Sequence, residues 1–122
     1  MKTVLLVDDD DPFRTMLTEV LTLAGYQVQE ASGGRQAIES YRVHPTDLVI
    51  TDLVMPETEG LEMIVEFKRL YPDAKIIAIS GGERLGSSDS LKMAKALGAQ
   101  QVLAKPFSNR EILEAVSEVL QD

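Results

Sequence analysis

Five side chains in this sequence are of types that together can handle phosphate and a hard metal ion: Asp8, Asp9, Asp52, Ser80 and Lys105. Each stands at the end of a short apolar run. Asp8 and Asp9 follow "TVLLV" at 3–7, Asp52 follows "DLVIT" at 47–51, Ser80 ends "KIIAIS" at 75–80, and Lys105 follows "QQVLA" at 100–104. If those runs are strands of one parallel sheet, all five groups converge on one edge. Two carboxylates about 4 Å apart in a partly buried site repel by roughly 4 kcal/mol at an effective dielectric of about 20. Lys105 neutralises one charge at most, so either a carboxyl keeps its proton or a cation binds. An all-oxygen donor set suits a hard divalent ion, and one that retains water and also contacts phosphate is Mg²⁺. A metal beside an exposed carboxylate makes phosphoryl transfer feasible. Asp52 is then the nucleophile, Lys105 a point charge on one phosphoryl oxygen and Ser80 a hydrogen-bond donor to another.

The elements that must position these groups are legible in the hydrophobic pattern. Besides the four runs above, "YQVQE" at 26–30 reads as a strand. Three of the five runs are continuous rather than alternating, which predicts strands covered on both faces. Between them lie segments of helical spacing. Phe13, Met16, Leu17, Val20, Leu21 and Ala24 follow the i, i+3, i+4, i+7 rule, with Gly25 as the stop. Ala37, Ile38 and Tyr41 mark a second helix over 34–42, ended by Pro45. Leu61, Ile64, Val65 and Phe67 mark a third over 60–70, closed by "YPD". A fourth falls at 88–97, behind the glycine- and serine-rich "SGGERLGSSDS". Ile112, Leu113, Val116 and Leu120 mark the last over 108–120, where Ser108 and Glu111 match a capping box. Strands alternating with helices predict a doubly wound α/β domain with right-handed crossovers. Such sheets bind ligands at the carboxyl ends of their strands.

Composition narrows the function classes. A length of 122 residues fits one domain, expected over 1–122, and 44% hydrophobic residues are enough for a core. The absence of cysteine removes disulfides and thiolate metal sites. Twenty acids against twelve bases give a net charge of -8, which disfavours direct nucleic-acid binding and anionic membrane surfaces. No apolar stretch approaches the roughly 20 residues of a membrane span, so a soluble, cytoplasmic protein is expected. Within "VLLVDDDDPFR" the remaining aspartates have plainer readings: Asp11 as the helix cap before Pro12 at the first helical position, and Asp10 as solvated surface. His44 reads as a surface residue, and Met16, Met55, Met63 and Met93 as core filling.

Four pieces in order resemble the receiver domain of two-component response regulators, over residues 3–121: "VLLVDDDDPFR", "DLVITDLVMPETEG" with its D-x-x-M-P-x-x-x-G pattern, "IIAIS", and "AKPF". The resemblance implies a flavodoxin-like (βα)5 sandwich whose five-stranded parallel sheet has the order 2-1-3-4-5, with five helices. It implies that Asp52 receives a phosphoryl group from a histidine kinase or histidine phosphotransfer protein. Asp9 would ligate Mg²⁺ directly and Asp8 mainly through water, with the backbone carbonyl of Val54 as a third protein ligand beside Asp52. Ser80 and Lys105 match the switch hydroxyl and the lysine of the family, and a cis Lys105–Pro106 bond is implied. The expected output is a shift of the face formed by the fourth helix, fifth strand and fifth helix, read by a downstream protein, an output domain or a second copy. Such a module catalyses only its own phosphorylation and dephosphorylation.

Three features depart from the family pattern. Val102 stands where an aromatic residue is usual, and a valine cannot swing between buried and exposed positions as a ring does. The loop "GGERLGSSD" after Ser80 is slightly longer than usual. No linker or output domain is expected after the fifth helix. Two rival functions follow from the same residues. An aspartate-nucleophile phosphohydrolase of the haloacid dehalogenase type also begins with aspartates after a first strand, but neither Asp8-x-Asp10 nor Asp9-x-Asp11 continues into its D-x-D-x-[TV] signature. A pseudo-receiver would bind a partner without phosphorylation.

Overall fold

Helical and strand periodicities alternate along the chain, and the computed structural model, which describes residues 1–53, 59–80 and 87–121, folds accordingly. In chain order the elements are β1 (Thr3–Val7), α1 (Asp11–Leu23), β2 (Gln27–Ala31), α2 (Gly34–Val43), β3 (Leu48–Asp52), α3 (Glu59–Leu70), β4 (Ile76–Ser80), α4 (Ser87–Ala96), β5 (Gln101–Ala104) and α5 (Asn109–Leu120). The strands form one sheet of order β2-β1-β3-β4-β5, with every pairing parallel. The expected fold class and strand order are therefore observed.

Parallel strands need crossovers, and the crossover helices cover both faces of the sheet. Alternation along each strand sends successive residues to opposite sides. Leu5, Val7, Val49, Ile76 and Ala78 pack with Ile64, Phe67 and Ala94 of α3 and α4. Val4, Leu6, Leu48, Ile50, Ile77 and Ile79 pack with Leu17 and Leu21 of α1 and Ile112 and Val116 of α5. Every residue of β3 and β4 is buried, which is why those runs lack polar alternation. Burial of each Leu, Ile or Phe contributes roughly 1.5–3 kcal/mol.

Several boundaries and side chains differ from expectation. Strands β2 to β5 each begin one residue later than their apolar runs, because the preceding residue serves the turn: the Asp47 carboxylate, for example, accepts from Thr3 N at 2.8 Å. Asp52 is consequently the last residue of β3 rather than the first beyond it. Asp10, not Asp11, caps α1, accepting from Phe13 N at 3.2 Å; Asp11 opens the helix and pairs with Arg14 at 2.7 Å. Met63 is core, but Met16 is 43% and Met93 51% exposed, and Val65 is exposed as well. These three lie beside the buried stripes, which centre on Leu17 and Leu21 in α1, on Met63, Ile64 and Phe67 in α3, and on Ala94 in α4. Met55 lies outside the described residues.

The helix ends carry the predicted stops. Gly25 takes φ +100°, open to glycine at little cost, and α5 begins with the Ser108–Glu111 capping box, complete in both directions. Gly98 takes φ +121° against the Lys68 stem, whose ammonium donates to the Ala74 carbonyl at 2.6 Å. His44 is exposed. Among the described residues no helix is long and apolar enough to cross a membrane.

Candidate functional site

The carboxyl ends of β1, β3, β4 and β5 lie side by side, and pairing fixes how far each strand projects. Val7 pairs with Thr51, Asp52 with Ile79, and Ser80 with Ala104. Asp8 therefore emerges beside Asp52, Ser80 ends the neighbouring strand, and Lys105 leaves the next. Neighbouring strands run about 4.8 Å apart, which brings side chains from adjacent strand ends within reach of one another. The Ser80 carbonyl accepts from Lys105 N at 2.9 Å, extending the β4–β5 ladder to the lysine itself. Lys105–Pro106 is cis, as expected.

Asp8, Asp52 and Lys105 meet directly. Lys105 Nζ donates to Asp52 Oδ2 at 3.2 Å and stands 3.9 Å from Asp8 Oδ2. Both carboxylates are almost wholly buried, with Asp8 1% and Asp52 3% exposed. Burial pushes the Asp8 carboxyl up from 3.8 to about 7. The Asp10 backbone N–H opposes this by donating to Asp8 Oδ1 at 2.8 Å, while the Asp52 charge and a hydrogen bond with Asp52 reinforce it. Lys105 nearby also opposes the rise, and on balance burial favours the protonated form of the Asp8 carboxyl.

Asp9 follows Asp8 into solvent and is exposed at the rim, whereas Ser80 is 2% exposed. Val54 lies outside the described residues, as do residues 81–86 of the loop after Ser80. Val102 pairs with Ala78 and packs, partly buried, against the layer formed with α2, α3 and α4.

Two features of the site escape the hydrophobic pattern. Arg14 is the first cation after the aspartates, and its three nitrogens are all engaged: Nη1 donates to the Asp8 carbonyl at 2.6 Å, Nε to Glu30 at 2.8 Å, and Nη2 pairs with Asp11 at 2.7 Å. It thereby ties the start of α1 to the ends of β1 and β2. Its position as the first positive charge after four aspartates is the signal the sequence offers for it. The second is Phe13, whose ring carries the Lys105 ammonium 3.9 Å from its centroid.

The donor set tests well against a hard cation. Two buried carboxylates, Asp8 and Asp52, share one ammonium, Asp9 follows Asp8 in the chain and is exposed, and all these acidic groups offer oxygen. Among the described residues no three acidic or histidine side chains already form a metal cage. Carboxylates crowded around a single ammonium are what such an ion would relieve.

The family model for the response regulator receiver domain matches residues 4–117. The chain is 39% identical over 119 residues to the chemotaxis protein CheY of Thermotoga maritima, covering 97% of each. It is 35% identical to the response regulator receiver protein CpdR of Brucella abortus, covering 98% of each. A crystal structure of a CheY-like receiver domain protein from Methanospirillum hungatei superposes with a TM-score of 0.88 at 27% identity, covering 99% of this chain and 94% of that one.

Proposed function

The chain belongs to the response regulator receiver domain family, and on that premise we propose that Asp52 accepts a phosphoryl group from a histidine kinase or histidine phosphotransfer protein in a Mg²⁺-dependent reaction. The observation that carries this reading is the buried Asp52 carboxylate at 3.2 Å from the Lys105 ammonium, beside Asp8, at the carboxyl edge of the central strands. In the transfer an Asp52 oxygen forms the new O–P bond while the donor's P–N bond breaks, and the leaving nitrogen keeps the electron pair. Lys105 moves its hydrogen bond from carboxylate to phosphoryl oxygen, and the Ser80 hydroxyl donates to a second one. Asp8, Asp9, Asp52 and the Val54 carbonyl would hold Mg²⁺. When bound, the ion supplies positive charge that offsets the charge on the transferring oxygens. A cation held there would favour the ionised form of the Asp8 carboxyl, its proton going to solvent.

The protein is a signalling module rather than a turnover enzyme, and its output is a shift in population. Drawing Ser80 toward the phosphoryl group pulls on Lys105 N through the 2.9 Å backbone bond, and so on β5 and its flanking helices α4 and α5. A downstream protein, an output domain or a second copy reads that face. Because Val102 is packed against the α2–α4 layer, the signal leaves through backbone displacement rather than through a rotating ring.

The test is incubation with Mg²⁺ and a small phosphodonor followed by intact mass measurement. Wild type is expected to gain one acid-stable, base-labile phosphoryl group, and Asp52→Asn none. Absence of the adduct on wild type, or its persistence in Asp52→Asn, overturns the reading. A second reading, a pseudo-receiver, draws on Val102; unchanged amide spectra near Asp52 on addition of Mg²⁺ and beryllofluoride would favour it.

A further inference from the structure

Lys105 has a partner on its other side. Its ammonium faces Asp52 at 3.2 Å and Asp8 at 3.9 Å, and it also lies over the face of Phe13, 3.9 Å from the ring centroid. That ring is itself held edge to face by Phe107, with centroids 6.1 Å apart and planes at 83°. Phe107 follows Lys105 by two residues, so the lysine and the residue that steadies its aromatic platform leave β5 together. Phe13 is equally anchored in the backbone, since its N–H donates to the Asp10 cap.

We propose that Phe13 is a positioning residue for phosphoryl transfer: its ring face sets where the Lys105 ammonium stands relative to Asp52. The proposal rests on Asp52 being the phosphoacceptor. A lysine is a strongly hydrated point charge on a flexible four-carbon stem, and this one is 24% exposed, so water competes for it. A ring face attracts a cation through its quadrupole and excludes water from that side. It also remains in place when the ammonium exchanges a carboxylate oxygen for a phosphoryl oxygen. The first turn of α1 thus touches both halves of the site: Arg14 holds the Asp8 backbone carbonyl, and the Phe13 ring lies against the ammonium that faces the Asp8 and Asp52 carboxylates. An aliphatic side chain would fill the same volume without the attraction, which separates positioning from packing.

The experiment uses the full chain, Mg²⁺ and phosphoramidate, whose P–N bond breaks as the Asp52 O–P bond forms, the nitrogen leaving as ammonia with a proton from water. Adduct formation is followed by intact mass, because the chain has no tryptophan to report by fluorescence. Phe13→Tyr is expected to stay within about twofold of wild type. Phe13→Leu, and replacement of Phe13 by pentafluorophenylalanine, which keeps the shape and reverses the ring quadrupole, are expected to lose about fivefold in rate, roughly 1 kcal/mol at about 1.4 kcal/mol per tenfold. The pentafluoro effect should vanish in a Lys105→Ala background. A pentafluoro variant that labels at the wild-type rate overturns the proposal, as does an effect that survives undiminished without Lys105. If wild type takes no phosphoryl group, the acceptor reading fails and this role with it; a wild type that labels normally with a flat Phe13 series refutes the positioning role alone.

Discussion

Replacing Asp8 by asparagine should make the protein more stable, and more so the higher the pH. The folded protein raises the Asp8 carboxyl from 3.8 to about 7, chiefly by burial. Between those values the native state holds a proton that the unfolded chain has released, so stability falls as pH rises through that window. The favourable contribution is complete below about pH 4 and gone above about pH 7. At about 1.36 kcal/mol per pKa unit the full interval amounts to about 4 kcal/mol, and relaxation of the rim around the new charge reduces what is measured to about 2–4 kcal/mol. Asparagine has the same shape, can accept the Asp10 N–H with its oxygen and can donate to Asp52 with its nitrogen, and does not titrate. Urea unfolding followed by far-ultraviolet circular dichroism at pH 5 and pH 8.5 measures the difference. Asp8→Asn should lead wild type by about 1 kcal/mol at pH 5, which already lies above the unfolded value, and by about 2–4 kcal/mol at pH 8.5. Taking the difference cancels carboxylates common to both proteins. A gap that does not change between the two pH values would refute the reasoning.

Mg²⁺ should recover part of that loss: a ligand bound only by the folded state stabilises by about 2.7 kcal/mol at a hundred times its Kd. Wild type at pH 8 should therefore melt higher in millimolar Mg²⁺, and Asp9→Ala should lose most of the response. Phe67→Ala empties a fully buried site between α3 and the sheet and should cost about 3–5 kcal/mol by urea unfolding. Ser108→Ala breaks one direction of the α5 capping box and should cost about 1 kcal/mol by the same measurement.

Strand ends were the most legible feature of the chain, because the apolar runs of β3 and β4, covered on both faces, each close on a chemically distinct polar group at the carboxyl end, Asp52 and Ser80. That rule alone brings Asp8, Asp52, Ser80 and Lys105 to one rim. Finer choices depended on contacts distant in sequence. Four consecutive aspartates before Pro12 offer several equivalent caps; Asp10 takes the role because Asp8 is buried and accepts the Asp10 N–H, while Arg14 holds the Asp8 carbonyl. Met16, Val65 and Met93 fit a generous helical stripe, but the stripe that packs is narrower. The contact between Phe13 and Lys105 has no periodic signature at all, since the two residues belong to opposite ends of the chain.

The rim occupies one end of the sheet, and the turns at the other end take no part in it. Pro72 and Asp73, exposed between α3 and β4, lie at that opposite end. An added residue inside β3 would exchange its two faces and carry Asp52 away from Lys105, whereas added residues between Pro72 and Asp73 leave the register of β3 and β4 to be set by their own pairing. The molecule is thus a support with a working end and a free end, and a tag, a surface tether or a fused reporter belongs at the free one.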